Sequence, residues 1–188
     1  AIVDADLFII DDGAGGTNRK TTAARLKTYV GGGLSVADQW RLTTNFVNGT
    51  TSKKYITSNL EQVDTAGQGT IGTAMTESSG VFTFPSTGIY LVSMTLYTFD
   101  DADYNYAYSE IDVTVNNSDF VEIAQAAQSP HTESSREATS LVSTLIDVTN
   151  TTNVKVKFSV TGESDAVNVL GNSAKNFTHM TFLRLGDT

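Results

Sequence analysis

Twenty residues in the middle of the chain, GVFTFPSTGIYLVSMTLYTF at 80–99, constrain the fold more than any other stretch. Phe82 and Phe84 alternate with Val81 and Thr83, the period of two that marks a strand. Pro85-Ser86-Thr87-Gly88 breaks the run, because Pro cannot donate to a ladder and Gly takes up positive φ without strain. Residues 89–96 follow as an almost unbroken β-prone run, the pattern of a strand covered on both faces. The spacing predicts two strands joined by a tight turn, with the second at the centre of a sheet.

The chain from Leu34 onward reads as strands and turns only. Residues 39–47 carry Trp40, Leu42 and Phe46 on one side; 54–63 is a weaker strand, 65–70 a Gly-containing loop and 71–76 a short edge strand. After the central pair come strands over 104–115 and 120–126 with an Asn-Asn-Ser turn between them, then a polar loop over 129–137. A strand over 139–148 leads to the cleanest half-buried one, where Val154, Val156, Phe158 and Val160 alternate with Lys155, Lys157 and Ser159. A loop over 162–175 precedes a last strand at 177–185. Roughly nine or ten short strands spaced by turns describe a sandwich or a jelly roll, and pattern alone does not separate the two.

Composition narrows the function. A chain of 188 residues with net charge −9 supports one ordinary core and repels a polyanion, so no nucleic acid partner is expected. The absence of Cys removes disulfide scaffolds, thiol catalysis and cysteine-ligated zinc. Two Pro leave no Pro-rich shaft. No apolar run approaches the roughly 18 residues of a membrane span, so no membrane insertion is expected. The opening AIVDADLF lacks a basic n-region and predicts no signal peptide; whether Ala1 follows a removed Met or a cut in a longer chain stays open.

Residues 1–33 differ from the rest. Leu7-Phe8-Ile9-Ile10 predicts a short strand, 11–16 a Gly-rich turn and 18–21 a returning strand. Thr21 or Thr22 can cap a short helix, TAARLKTYV, with Leu26 and Tyr29 on one face. Gly31-Gly32-Gly33 stops it and makes a flexible joint. The segment has too little apolar surface to fold alone. We therefore expect an attachment segment at 1–33 and a head domain at 34–188.

The 80–99 stretch also resembles the G-x-[FY]-x-[FV]-P-x-x-G-x-[YF] signature of the complement globular-head and tumour-necrosis-factor-like (TNF-like) jelly rolls, with Gly80, Phe82, Phe84, Pro85, Gly88 and Tyr90 matching. Residues 111–116 look like the family's strand ending in an Asn turn, and FTHMTFLRL at 177–185 resembles its closing aromatic strand. The turn that usually reads Leu-x-x-Gly-Asp departs here to Asp147-Val148-Thr149-Asn150-Thr151. The N-terminal DADLFIIDDGAGGTNRKTTAARLKTYV is similar to segments of tailed-bacteriophage structural proteins that lie beside fibre or knob modules. The fold implied is an all-β, TNF-like jelly-roll β-sandwich with a short N-terminal hairpin-helix segment. The resemblance implies a homotrimer, and Trp40, Phe46, Phe177, Met180 and Phe182 are candidates for its interface, being more large apolar groups on the first and last strands than one core face requires.

Candidate sites are few. GAGGTNRKT at 13–21 misses a phosphate-binding loop because Arg19 stands where Gly must precede Lys-Thr, so it reads as a turn. His131 and His179 have no His or Cys at metal-ligand spacing, and no G-x-S-x-G elbow or placeable carboxylate pair supports a hydrolase. Asp100, Asp101 and Asp103 form an oxygen-rich loop that is a weak candidate for Ca²⁺, without EF-hand spacing; no other cofactor is expected. Tyr104, Tyr106 and Tyr108 alternate onto one face, and with the Asp cluster, His131 and Arg136 they are the receptor-contact candidates; solvated connecting loops are the plainer reading of the same residues. Four Asn-x-Ser/Thr matches, at Asn48, Asn116, Asn150 and Asn176, are what so Asn- and Thr-rich a chain gives by chance. The reading as a whole is a non-enzymatic virion structural protein, extracellular on the particle surface. It would be the trimeric receptor-binding module of a tail fibre or spike, joined to other virion proteins through 1–33 and contacting a host-surface glycan or protein. A head fibre or capsid decoration protein is the alternative, and a secreted ligand-like or carbohydrate-binding module the alternative of another class.

Overall fold

The computed structural model describes residue 3 and residues 5–11, 18–30, 33–99, 106–129 and 137–188. The chain divides into two compact units, Ala1–Ser35 and Val36–Thr188. The first holds an antiparallel hairpin of β1 (Leu7–Asp11) and β2 (Asn18–Thr22), followed by helix α1 (Ala23–Val30). Thr22 is the cap: its Oγ1 accepts the Arg25 amide at 3.2 Å, one of the donors a helix start leaves unsatisfied. Leu7 and Ile9 lie 60% and 69% exposed.

The second unit is a two-layer jelly-roll sandwich. Its strands in chain order are β3 (Ala37–Leu42), β4 (Phe46–Val47), β5 (Lys54–Tyr55), β6 (Leu60–Gln62), β7 (Thr76–Ser78), β8 (Val81–Thr83) and β9 (Gly88–Phe99). They continue as β10 (Ala107–Thr114), β11 (Val121–Gln128), β12 (Glu137–Val148), β13 (Lys155–Gly162), β14 (Asn168–Val169) and β15 (His179–Gly186). One sheet runs β11-β10-β13-β8-β7, with β5 on β13. The other runs β4-β14-β9-β15-β3-β6, with β12 along the free side of β9. Among the described residues all pairings are antiparallel, and non-consecutive neighbours are the rule, as a jelly roll requires.

The 80–99 stretch forms the two strands and the turn its pattern predicts, and its glycines have geometric causes. At Gly80, with φ 81°, a Cβ would stand 2.3 Å from the Ile56 carbonyl oxygen. At Gly88, with φ 142°, it would stand 2.5 Å from both Arg184 Nε and the Gly186 carbonyl oxygen. The Tyr90 hydroxyl closes the turn between them, donating to the Ser86 carbonyl oxygen at 3.0 Å and lying 2.9 Å from Ser86 Oγ. The two sheets meet on an aromatic centre: Phe82 packs at 5.5 Å from Phe158, 5.2 Å from Phe182 and 5.5 Å from Trp40.

Several expected elements are redrawn. β9 is not covered on both faces within one chain: Gly88, Tyr90, Val92, Met94, Leu96 and Thr98 are buried, while the residues between them are half-exposed. The expected strand at 54–63 is two pieces in opposite sheets, because buried Ile56 carries the chain across between them. The loop at 162–175 contains β14, and the strand expected at 71–76 is a single bridge from Ile71 to Ala37 followed by β7.

Candidate functional site

The register of the larger sheet assembles a face that no sequence motif announces. Leu145, Leu91, Leu183 and Ala37 stand side by side across β12, β9, β15 and β3. Ser143, Ser93, Thr181 and Gln39 form the next row, and Leu141, Thr95, His179 and Arg41 the one after. These rows point away from the core, since their strand neighbours Tyr90, Val92 and Met94 are the buried ones. Leu141 and Leu145 are 63% and 60% exposed. Further along, Tyr97 meets Phe177 edge-on at 5.3 Å. Burial, aided by a hydrogen bond to Glu137, raises the Tyr97 hydroxyl pKa above its ordinary value.

One end of this face is roofed. The Arg41 side chain is fully buried although it stands on the outward side, and donates to Glu61 at 2.7 Å, Asp64 at 2.7 Å, Thr65 at 2.8 Å and Gln68 at 3.1 Å. The loop over 64–68 thus closes over β3. Among the described residues His179 forms no ion pair, and its Nδ1 lies 2.9 Å from the Phe177 carbonyl oxygen.

The five expected interface residues do not share a surface. Met180 and Phe182 are fully buried in the protomer's own core, on the inward side of β15, so their apolar groups are used inside the sandwich. Trp40 and Phe46 pack against that core as half-buried fringe. Phe177 alone stands with the outward residues, against Tyr97. The strand parity was the missed signal: the outward set on β15 is His179, Thr181 and Leu183, one residue out of step with the aromatic set.

Of the receptor-contact candidates, Asp100, Asp101, Asp103, Tyr104, His131 and Arg136 lie outside the described residues. Tyr106 and Tyr108 are described, with rings stacked at 4.7 Å and 24° at the start of β10. Among the described residues no group of three or more acids or histidines is arranged to hold a metal ion, and the Ca²⁺ candidate belongs to the undescribed stretch.

The smaller sheet carries a polar cluster on its outward face that sequence reasoning missed. Glu110 and Asp112, each 2% exposed, flank core-facing Ile111 on β10. Ser159 Oγ lies 2.8 Å from Glu110 Oε2 and 3.1 Å from Asp112 Oδ2, and Tyr55 donates weakly to Asp112 at 3.4 Å. Lys53 closes the cluster over Asp112 and Glu122. Burial pulls its ammonium pKa down, but the hydrogen bonds to Glu122 and Asp112 and the Glu110 charge outweigh that and hold it above the usual lysine value. Both buried acids are therefore already engaged, as a structural knot. Ile111 and Val113 mark the apolar side of this strand, and the acids occupy the positions between.

The chain matches no protein-family model and no curated protein sequence. Solved structures do match. A crystal structure of murine APRIL at pH 8.0 superposes with TM-score 0.55 at 9% identity, covering 80% of this chain and 98% of that one. The structure of Eiger TNF from S. frugiperda superposes with TM-score 0.53 at 14% identity, covering 84% of this chain and 96% of that one. The second unit has a TNF-like jelly-roll fold. At such identities the likeness establishes the fold, and the surfaces must speak for function.

Proposed function

We propose that this chain forms a non-enzymatic, homotrimeric binding head, carried on a virion surface as the distal module of a tail fibre or spike. The observation that carries the reading is the outward face of the larger sheet, with Leu91, Leu145 and Leu183 in one row and the Tyr97–Phe177 pair beyond it. Half-exposed apolar strands in a head of this acidity call for a covering surface. The same chain supplies one on β11, at the edge of the smaller sheet, where Val121 and Ile123 are 62% and 42% exposed. An edge packing onto a neighbour's face is a head-to-tail contact, and such contacts form a ring when the rotation between copies closes. Three copies agree with the TNF-like resemblance. The buried area should be of the obligate class, on the order of 2,000 Å² or more.

The mount is proposed at residues 1–33, on their likeness to phage structural segments and the exposed Leu7 and Ile9 of their hairpin. Light scattering at micromolar concentration tests the trimer: the mass should be three times the 20.1 kDa chain, and a monomer mass removes the reading. Gold-labelled antibody on particles tests the placement. Label at a tail tip supports the fibre, and label on the head surface supports a head fibre or decoration protein instead. Labelling of neither leaves the secreted ligand-like module, which the fold likeness to APRIL and Eiger TNF favours.

A further inference from the structure

We propose that the outward face of the smaller sheet holds a binding groove for an acidic saccharide, a pyranose bearing a carboxylate or phosphate. This deepens the reading of the chain as a surface-binding head by naming a site and a ligand class. The groove measures about 370 Å³, at the small end of ligand sites, and is lined by Thr76, Ser78, Thr83, Asn117, Phe120 and Lys155, together with Val81 and Glu77. Register explains the assembly. Thr76, Thr83 and Lys155 stand in one outward row across β7, β8 and β13, and the residues 115–120 connecting β10 to β11 bring in Asn117 and Phe120.

Three features select the ligand. The Phe120 ring is held by the Lys157 ammonium, 4.1 Å from its centroid, and the remainder of the ring lines the groove. A flat apolar surface beside threonine, serine and asparagine side chains suits a sugar, which offers C–H groups on one side and hydroxyls around its rim. The Lys155 ammonium makes no hydrogen bond or ion pair among the described residues, while those of Lys53, just before β5, and Lys157 on β13 are both engaged. An unpaired ammonium in a chain of net charge −9 is complementary to an acid group on the ligand. The one carboxylate of the lining, Glu77, is turned to the Gly80 amide at 2.6 Å through Oε1, so it can accept from a sugar hydroxyl only through its other oxygen.

The groove is also pre-formed. Asn116 Oδ1 accepts the Ser118 and Asp119 amides at 3.0 and 2.9 Å, and its Nδ2 donates to Asp119 at 2.8 Å. The Asn117 amide donates to the Asn153 carbonyl oxygen at 3.0 Å, with Asn117 itself at φ 62°. A fixed loop loses little freedom on binding. The groove opens on the opposite side of the sandwich from the proposed trimer face, so three copies would present three grooves outward.

Saturation-transfer NMR on the full chain tests this with three probes: methyl glucuronide, methyl glucoside and inorganic phosphate. Methyl glucuronide should receive saturation and bind at least about tenfold more tightly than the neutral glucoside, one charge-assisted contact being worth that much. Lys155→Gln should abolish the preference, and Phe120→Ala should weaken both sugars. Lys155 is half-exposed on a strand face, so its replacement leaves the fold intact even if Phe120→Ala does not. Equal binding of the two sugars, binding of phosphate alone, or glucuronide binding unchanged in Lys155→Gln would each overturn the proposal. Because the readout needs no particle, a groove that binds glucuronide in a protein absent from virions would sink the mount and leave the groove standing. The reverse result would do the opposite.

Discussion

The Lys53 ammonium stands 2.9 Å from Oδ1 and 3.1 Å from Oδ2 of Asp112, and also reaches Glu122 at 2.7 Å and Glu110 at 3.7 Å. One cation therefore serves three carboxylates, two of which are buried. It also ties the segment before β5 to β10 and β11, elements that no local pattern connects.

Removing that cation should be expensive. Lys53→Met leaves the buried Glu110 and Asp112 without their cation; the Lys53 side chain is itself 28% exposed, so the loss should lie between that of a surface pair and a fully buried one, about 1–3 kcal/mol. The pH dependence has a definite sign. The folded-state lysine pKa is raised, so its contribution is fully present below the ordinary lysine value of about 10.4 and is lost as pH rises through the folded value. Urea unfolding of wild type and Lys53→Met should show a stability gap that is constant through neutral pH and narrows only in the alkaline range. A gap under about 1 kcal/mol at pH 7 would mean the cluster is solvated and worth no more than a surface pair.

Gly88→Ala should destabilise the head by about 3 kcal/mol, because the added Cβ meets the Gly186 carbonyl oxygen and Arg184 while φ stays at 142°. Gly69→Ala is the control, having nothing within 4 Å of its would-be Cβ and no positive φ. Thermal melts of the two variants should separate by several degrees. Equal melting temperatures would show that the turn relaxes.

Leu145→Glu and Leu183→Glu should break the oligomer without unfolding the protomer. Leu145 is 60% exposed in one chain and Leu183 half-exposed, so a charge there meets water unless another copy covers it. Light scattering should move to the mass of one chain while circular dichroism keeps its β signature. Retention of the wild-type mass in both variants would place the contact elsewhere.

How much of this was legible in the sequence depends on which side of a strand carried the message. The 80–99 pair, the β13 alternation and the Thr22 cap were readable because each rests on local chemistry: a period of two, a Pro-Gly turn, a hydroxyl before a helix. The outward face of the larger sheet was not, since Leu91, Leu145 and Leu183 become neighbours only through long-range register. The groove was hidden for the same reason; Thr76, Asn117 and Lys155 come from three separate elements. Met180 and Phe182 were misread as surplus because a count of large apolar groups says nothing of which face they occupy.

Asp38 shows how such long-range wiring makes its own prediction. It is 1% exposed and pairs with no cation among the described residues: Oδ2 accepts from Trp40 Nε1 at 2.9 Å and from the Met75 amide at 2.8 Å, and Oδ1 accepts from Gln62 at 2.9 Å. One carboxylate thus holds β3, β6 and the approach to β7 together. Asp38→Ala takes the acceptor from the buried Met75 amide and from the part-buried Trp40 and Gln62 donors, and the buried one alone costs about 1–3 kcal/mol, so the loss should match that of an ordinary core truncation. Asp38→Asn keeps one acceptor oxygen and should retain part of the stability. The first visible effect should be local, since Met75 ends the segment that returns from β6 to β7. Limited proteolysis of Asp38→Ala should cut within 64–75 before global unfolding, while β9 and β15 stay protected in hydrogen exchange. If amides throughout the sandwich lose protection together, with no early cut in that loop, Asp38 is part of the global core and not a clasp on this segment.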